Sequence, residues 1–383
     1  MLYSVCPFVH FIKSIDKKLL IVYNIFKSRK GDIMEDYSKT VNRVRELLKL
    51  NTEWQSRFDG YINLLNSESL DKMKKARSSF YVTEPFHLYM NLTTAKNNAA
   101  STAAIIFELR FHGQSVAEVS TDVSNSDKIY LKVTPPKKLL TNAFNTAEMG
   151  KKLDALIVYS KMGKLLWHSE QAKDFRKIYL DLENKIQSDS AVKKALGQPE
   201  HDMECELLKN YSQKSSAGKE ILNIQPVMMG NTGARFQMPT AIKASTAKNG
   251  TANIEYSNSK QSGGGIDILA RVGNGRGTKL AVLELKDSYS KSEPPEKAMH
   301  QAVAYTAFIR ELLRSDCGDK WWKFFGFGGD TPQKLEIKAI VVMPYDANAK
   351  TNFGGMKLPI DNDTIKLGYI YRSDIQGNQK ICI

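Results

Sequence analysis

Two runs of sequence decide the fold: GIDILARV at residues 265–272 and LAVLELKD at residues 280–287. Both runs are dominated by apolar residues and have the length of buried strands. Asn274-Gly275 lies between them, and an Asn-Gly pair between two apolar runs is a strong hairpin signal. We therefore predict two antiparallel strands, Ile266 to Val272 and Leu280 to Asp287, joined by a hairpin turn from Gly273 to Lys279.

Three ionisable residues interrupt these apolar runs. Side chains alternate between the two faces of a strand, so Glu284 and Lys286 share one face and Leu283 shares the other with Leu285. If the hairpin brings Asp267 to the same face, two carboxylates and one ammonium group converge at one end of the sheet. A solvated Glu-x-Lys pair is the competing interpretation, but unpaired charge is costly in a buried strand. The surroundings therefore favour a functional site.

These residue types suit a hydrolytic metal site. Magnesium binds oxygen ligands, typically one or two carboxylates, and keeps several waters. Asp267 and Glu284 would supply the carboxylates, while Lys286 would orient the attacking water or offset charge on a scissile phosphate. We expect Mg²⁺ as the cofactor, with Mn²⁺ as an alternative.

The elements around the hairpin predict a mixed α/β fold. Apolar spacing indicates a helix from Asp202 to about Lys214, a strand near Ala234 to Ala244, a helix from about Pro295 to Arg314 and a strand from Leu335 to Met343. Together with the hairpin, the predicted order is α-β-β-β-α-β.

This order, with Asp267 followed by Glu284-x-Lys286, resembles the PD-(D/E)xK nuclease superfamily, which has a restriction-endonuclease-like fold. Gln301 and Tyr305 are one helical turn apart. They resemble the Gln-x-x-x-Tyr element of the RecB-like and lambda-exonuclease-like branch. The resemblance implies that Asp267 and Glu284 bind the metal and that Lys286 is the catalytic lysine. It implies that Gln301 and Tyr305 complete the catalytic group through supporting contacts, and it covers about residues 200 to 345.

A further acidic residue on the first helix of the core is usual in that superfamily. Glu204 and Glu206 both lie in the matching region, and we take Glu206 as the preferred third metal ligand. The alternative for either residue is an exposed helix charge. The chain departs from the family pattern in having isoleucine before Asp267 in place of proline, and it lacks the cysteines of the iron-sulfur branch.

The composition of the chain limits the kinds of partner and cellular setting that we expect. A net charge of +14 and a pI near 9.3 favour a polyanionic partner, because lysine and arginine neutralise phosphates. The resemblance implies DNA in preference to RNA. Apolar pieces near the start of the chain are interrupted by lysines and are too short to span a bilayer, so we expect no membrane partner. The cysteines show no CxxC spacing, which favours a reduced, cytoplasmic setting.

The chain is predicted to contain two domains after a basic extension at residues 1–33. Met34 begins a more regular helical pattern, so translation starting there is one alternative for this extension. The other alternative is a short basic helix that lies on a membrane or on the protein itself. Residues 34–196 are predicted to form a helical and mixed α/β domain of unknown role. Residues 197–383 form the nuclease-like domain, with Gly197-Gln198-Pro199 marking the boundary.

The pattern within residues 34–196 changes from helices to strands and back to a helix. We predict helices from Tyr37 to Ala76 and from Ala172 to Ile186, and strands at Ile105 to Arg110, Ser115 to Val119 and Ile129 to Val133.

Three further features have two interpretations each. The run from Lys320 to Phe325 alternates cations with aromatics, so it either stacks on unpaired bases or, as we favour, packs in the core. Arg271 would contact a phosphate or pair with a neighbouring acid. His300 is interpreted as a helix residue at the edge of the cleft.

The expected function is metal-dependent hydrolysis of DNA phosphodiester bonds. The alternative is a non-catalytic nucleic-acid-binding module on the same fold. The intact Asp, Glu and Lys set argues against that alternative, because a carboxylate pair without metal repels phosphate. Cutting of both strands would often need two sites, which leaves dimerisation open.

Overall fold

A computed structural model describes residues 34–68, 70–72, 74, 85–92, 105–122, 125–134, 147–189, 199–211, 224–229, 234–246, 252–257, 265–286, 294–344, 354–372 and 379–382. Its helices are α1 (34–50), α2 (Glu53–Leu65), α3 (Ala147–Lys161), α4 (Glu170–Ser188), α5 (Pro199–Tyr211), α6 (Pro295–Leu313) and α7 (Gly318–Phe324). The predicted α/β class is confirmed.

The described strands are β1 (Phe86–Leu92), β2 (Ile105–Phe111), β3 (Gln114–Asp122), β4 (Asn125–Val133), β5 (Ile224–Pro226), β6 (Met228–Met229), β7 (Ala234–Gln237), β8 (Ile242–Thr246), β9 (Ala252–Tyr256), β10 (Ile268–Val272), β11 (Lys279–Leu285), β12 (Glu336–Pro344), β13 (Lys357–Ile360), β14 (Asp363–Arg372) and β15 (Gln379–Cys382). They form two large sheets and the two-stranded ribbon β8-β9.

The first sheet has the order β4-β3-β2-β1-β7-β6. Strands β1 to β4 are antiparallel to their neighbours, and β7 runs parallel to β1. The strands predicted at 105–110, 115–119 and 129–133 are confirmed as β2, β3 and β4. Helix α4 covers this sheet with Phe175 and Tyr179, which pack on Phe86.

The second sheet has the order β13-β14-β12-β11-β10-β5, and β15 pairs with β14. Strands β5, β10 and β11 are antiparallel neighbours, whereas β11, β12 and β14 are parallel. Helix α6 provides the long connection between β11 and β12 that a parallel pair requires. The predicted antiparallel pairing of the two deciding runs is confirmed, from Ile268 opposite Leu283 to Val272 opposite Lys279.

The connection between β10 and β11 is the predicted hairpin turn, and it covers residues 273–278. It contains a 3₁₀ turn at Gly275–Gly277 and begins at Gly273, whose φ of 116° lies in a region that favours glycine. A Cβ on Gly273 would lie 3.0 Å from the carbonyl oxygen of Gly277. The glycines therefore build a compact loop.

The single strand predicted from Ala234 to Ala244 is wrong, because the chain forms two strands there. Residues Ala234–Gln237 form β7 of the first sheet, and Ile242–Thr246 form β8 of the ribbon. Pro239 lies between them, and proline has no backbone N–H to donate to a continuing ladder.

Helices cover both faces of the second sheet. Helix α5 packs Met203, Leu207 and Leu208 against one face, where Leu283 and Leu285 are buried. Helix α6 covers the other face and is buried along nearly its whole length. The apolar reverse side predicted for the strand that carries Glu284 is therefore confirmed.

The two predicted domains share their structural elements. Strand β7 completes the first sheet, and the N-terminal helices pack on α6 and α7 through contacts of Trp54 with Phe308 and of Phe58 with Trp321. The division at residue 197 therefore does not follow the boundaries of the sheets. Residues 1–33 lie outside the described residues. Within the described ranges, none of the helices combines the length and the apolar character needed to cross a membrane.

Candidate active site

Asp267 lies immediately before β10, where that strand meets the end of β11. Its Oδ2 atom accepts a hydrogen bond of 2.8 Å from the backbone N–H of Leu285. This bond fixes the Asp267 carboxylate against the segment that carries Glu284 and Lys286. The structure therefore brings together the three residues that the sequence singled out.

Glu284 and Lys286 form an ion pair at the end of β11. The Lys286 Nζ atom lies 3.0 Å from Glu284 Oε1, and the Glu284 side chain is only 6% exposed. A second carboxylate, that of Glu200 on α5, lies 3.8 Å from the same Nζ atom. Both lysine contacts are thus to acidic groups at one edge of the second sheet.

Burial is the main influence on the electrostatics of this group, and excess negative charge adds to it. Burial raises the pKa of Asp267 well above its usual value, and the negative charge of Glu284 raises it further. Glu204 and Glu200 act in the same direction, while the hydrogen bond from Leu285 N–H opposes them. The carboxylates therefore repel one another in the absence of a cation.

The third acidic position is better filled by Glu204 than by Glu206. Glu204 is buried with 5% exposure and acts electrostatically on Asp267, whereas Glu206 is exposed. Two helical positions differ by about 200° in direction, so the two side chains cannot share a face of α5. The preference for Glu206 is not supported by its placement, and Glu204 takes its place.

Gln301 and Tyr305 on α6 hold the ribbon beside this group. Gln301 Nε2 donates to the carbonyl oxygen of Ala244 at 3.1 Å, and the Tyr305 hydroxyl donates to the same oxygen at 3.2 Å. Burial raises the pKa of Tyr305, and the charges of Glu284 and Asp267 contribute. The tyrosine therefore stays protonated, close enough to the carboxylates to sense their charge.

The first sheet reaches the site through Arg110 and Gln237. Arg110 Nη2 donates to Gln237 Oε1 at 2.9 Å, and Gln237 Nε2 lies 3.5 Å from where a Cβ on Gly265 would be. Gly265 is two positions before Asp267. Glu204 also interacts electrostatically with the buried Arg110 guanidinium. Residues from the first sheet therefore border the acidic group.

Burial and contacts bear on three other interpretations from the sequence, those of Trp321, Arg271 and His300. Trp321 is fully buried and donates to the Phe58 carbonyl, which confirms core packing for the aromatic run. Arg271 donates to the carbonyl of Gly326 and to Gln225, so it pairs with no acid among the described residues, and its contact with a phosphate stays a prediction. His300 is buried against Thr40 of α1, with 2.7 Å between Nδ1 and Oγ1, and does not lie at a cleft edge.

The donor set fits a hard cation in its chemistry. In the described part of the chain, no three His, Cys, Asp or Glu side chains are grouped so that they could hold a metal ion. Magnesium, however, typically takes only one or two carboxylates from a protein and completes its shell with water and substrate phosphate. Asp267 and Glu284 offer that number, and their mutual repulsion is the feature that a cation would relieve.

Sequence reasoning missed Glu200 and the backbone of Ala244. Glu200 and Glu204 are spaced i, i+4 on α5, which places them on one helix face, so spacing alone could have indicated the pair. No signal in the sequence pointed to Ala244, because its carbonyl accepts from Gln301 and Tyr305 only when the β8-β9 ribbon lies beside α6.

Comparisons of the chain with protein-family models, with curated proteins and with solved structures found no match. The interpretation of the site therefore depends on its own geometry and chemistry.

Proposed function

We propose that this protein is a metal-dependent nuclease that hydrolyses DNA phosphodiester bonds by the PD-(D/E)xK mechanism. The observation that carries the proposal is the hydrogen bond from Leu285 N–H to Asp267, which holds one carboxylate beside the Glu284–Lys286 ion pair. Two carboxylates and a lysine on adjacent strands are the residues that this chemistry requires.

The arrangement of elements supports a restriction-endonuclease-like core. Helix α5 precedes three antiparallel neighbours, β5, β10 and β11, and α6 then leads into β12, which is parallel to β11. Within this sheet the order is α-β-β-β-α-β, but β5 replaces the strand predicted near 234–244, and β6 to β9 lie between β5 and β10 in the chain. The two helices lie on opposite faces of the sheet, and the acidic group lies at its edge.

Asp267 and Glu284 are the proposed ligands of a magnesium ion, with manganese as an alternative. The bound ion would polarise the scissile phosphate and lower the pKa of a coordinated water. Of the two acidic residues of α5 that raise the pKa of Asp267, Glu204 has the larger effect. Glu200 extends the same acidic face and lies near Lys286.

Lys286 is the proposed catalytic lysine. Its ammonium group is held at the sheet edge by Glu284 and Glu200, so its direction is set before substrate arrives. It has donors that can orient a water and a charge that can offset negative charge on the phosphate. Tyr305 and Gln301 fix the β8 backbone next to the group and thereby exclude water from one side.

The proposed substrate is DNA. The net charge of +14 supports a polyanion, and the choice of DNA over RNA depends on the resemblance alone. A reducing, cytoplasmic setting is part of the proposal and is supported by the free thiols of Cys205 and Cys317.

Digestion of linear and covalently closed circular DNA tests the proposal. The full chain is incubated with magnesium or with EDTA, alongside Glu284→Gln and the exposed control Glu206→Gln, and RNA of matching sequence is run in parallel. We expect metal-dependent cleavage of DNA by wild type and the control only. Equal cleavage by Glu284→Gln would contradict the proposed site, and DNA binding without cleavage would favour a non-catalytic binding module.

A further inference from the structure

Four lysines form a row across the second sheet, which we call the lysine row: Lys357, Lys366, Lys338 and Lys279. Lys366 lies directly opposite Lys357 on β13 and directly opposite Lys338 on β12. Lys338 in turn is opposite Ala281, and Lys279 lies two residues before Ala281 on the same strand. Directly opposed side chains, and those two apart on a strand, point to the same face, so all four share one face.

The row lies at the far end of the sheet from the candidate active site. Lys279 begins β11, whereas Glu284 lies near the end of that strand and Lys286 follows it. At about 3.3 Å per residue, Lys279 is roughly 17 Å from Glu284 and roughly 23 Å from Lys286 along the strand. The other three lysines are in register with Ala281, so they are roughly 10 Å from Glu284 and roughly 17 Å from Lys286 along the same direction. Lys357 is exposed and the other three are partly exposed, so the row is accessible to a partner.

The row is not neutralised within the described part of the chain. None of its four ammonium groups forms an ion pair with an acidic residue there. Burial lowers the pKa of Lys338, and the charges of Lys366 and Lys279 lower it further, with Glu336 opposing them. Like charges directly opposite one another destabilise a sheet. The free protein therefore carries a cost that a bound anion would remove.

We propose that the lysine row binds the phosphate backbone of nucleic acid, at a place separate from the site of cleavage. Four adjacent strands at a spacing of about 4.8 Å span roughly 14 Å. One strand of duplex DNA has a charge about every 3.4 Å along its axis, so this length matches about four phosphates. The identity of the polyanion depends on the proposed function, while the presence of an anion-binding row depends only on the geometry.

The test compares two triple variants of the full chain. The first neutralises the row with Lys279→Gln, Lys338→Gln and Lys366→Gln. The second removes the same charge from exposed lysines on α3 and just after it, with Lys151→Gln, Lys161→Gln and Lys164→Gln. Binding of a labelled short DNA duplex is measured in EDTA, so that cleavage does not interfere, over a series of salt concentrations.

We expect the row variant to bind more weakly and to lose about 2.7 from the slope of log K against log salt, at roughly 0.9 for each phosphate contact. The α3 variant should keep the wild-type slope. The melting temperature of the row variant should rise, because its repulsion is removed. A triple lysine-to-arginine variant of the row should keep the wild-type slope, which separates charge from any effect on folding.

Equal slopes for the row variant and the α3 variant would overturn the proposal. Loss of binding to phosphatidylserine vesicles with an unchanged slope for the duplex would also overturn it, in favour of a membrane surface. A third outcome is a smaller salt slope for the row variant together with no metal-dependent cleavage by the wild type. That outcome would support anion binding by the lysine row and refute the nuclease proposal, so the two failures are distinguishable.

Discussion

Asp363 begins β14 and Asp267 immediately precedes β10 of the same sheet, but their surroundings are opposite in charge. Asp363 is 4% exposed and accepts hydrogen bonds from Arg310 at 2.8 Å and from Leu335 N–H at 2.9 Å, as well as from Arg314. Burial alone would raise its pKa, but these donors lower it below the usual value. Asp267 has one backbone donor and several acidic neighbours, and its pKa is raised.

The difference separates a structural cluster from a candidate functional one. The cluster at Asp363 is complete within the chain, because two arginines and a backbone N–H satisfy the carboxylate. The group at Asp267 has excess negative charge, which costs stability unless a cation binds. Carboxylates with raised pKa values at an open sheet edge are typical of functional sites. Each prediction below tests one side of this contrast.

The largest effect is expected from Glu284→Gln. The substitution keeps the shape of the side chain but removes a charge that would bind the metal, so cleavage should fall by about 1,000-fold, comparable to loss of a principal electrostatic contact in other enzymes. Rates of cleavage are compared at saturating magnesium. The exposed Glu206→Gln should remain within twofold of wild type, and an equal loss in both would refute the assignment.

The next largest effect is expected from Asp363→Asn, and on stability. Buried Arg310 and partly buried Arg314 would lose their shared counter-charge, which typically costs about 3 kcal/mol. Urea unfolding measures the change, with Asp330→Asn as a control because its ion pair with Lys323 is largely exposed. That control should change stability by less than about 0.5 kcal/mol. Similar losses of stability in both variants would show that the cluster at Asp363 stabilises the fold no more than an exposed ion pair does.

The same residue predicts how stability depends on pH. Because the folded pKa of Asp363 lies below its usual value, its contribution should be complete above the unfolded pKa of about 3.9. The contribution should disappear as the pH falls through the folded pKa. Unfolding of wild type and Asp363→Asn from neutral to acidic pH should therefore show a difference that shrinks below about pH 4. A difference that grows on acidification would contradict this sign.

A smaller effect is expected from Tyr305→Phe. The substitution removes the hydroxyl that donates to Ala244 O at 3.2 Å and accepts from Ala244 N–H at 3.3 Å. Loss of such bonds costs about 1 kcal/mol, or roughly a fivefold change in rate if it acts at the site. Tyr256→Phe on the same ribbon is the control. An unchanged rate in Tyr305→Phe would remove this residue from the site.

The local sequence pattern was sufficient to predict the central strands of the second sheet and the helix that covers them. Strands β10 and β11 and helix α6 have strong apolar patterns, and the alternation along β11 placed Glu284 and Lys286 correctly on one face. The third acidic residue was misjudged because the choice between Glu204 and Glu206 depends on how α5 is rotated against the sheet. A weak helical pattern does not determine that rotation.

Pairings between strands far apart in the chain could not be predicted from the sequence. Strands β13 to β15 follow Pro344, and no prediction covered them, so the partner of Arg310 and Arg314 was missed. The parallel pairing of β7 with β1 joins segments far apart in the chain, and no turn signal connects them. The first sheet includes strands from both sides of residue 197 for the same reason, since Gly197-Gln198-Pro199 is a local signal and sheet membership is not local.

The central claim is that Asp267 and Glu284 repel each other until a cation binds. It is tested most directly by melting wild type and Asp267→Asn with and without magnesium. Without the ion, Asp267→Asn should melt at a higher temperature than wild type, because its oxygen still accepts from Leu285 N–H while the charge is gone. Magnesium at about 100 times its dissociation constant should stabilise wild type by about 2.7 kcal/mol and leave the variant unchanged. A variant that melts lower and responds equally to magnesium would contradict the account.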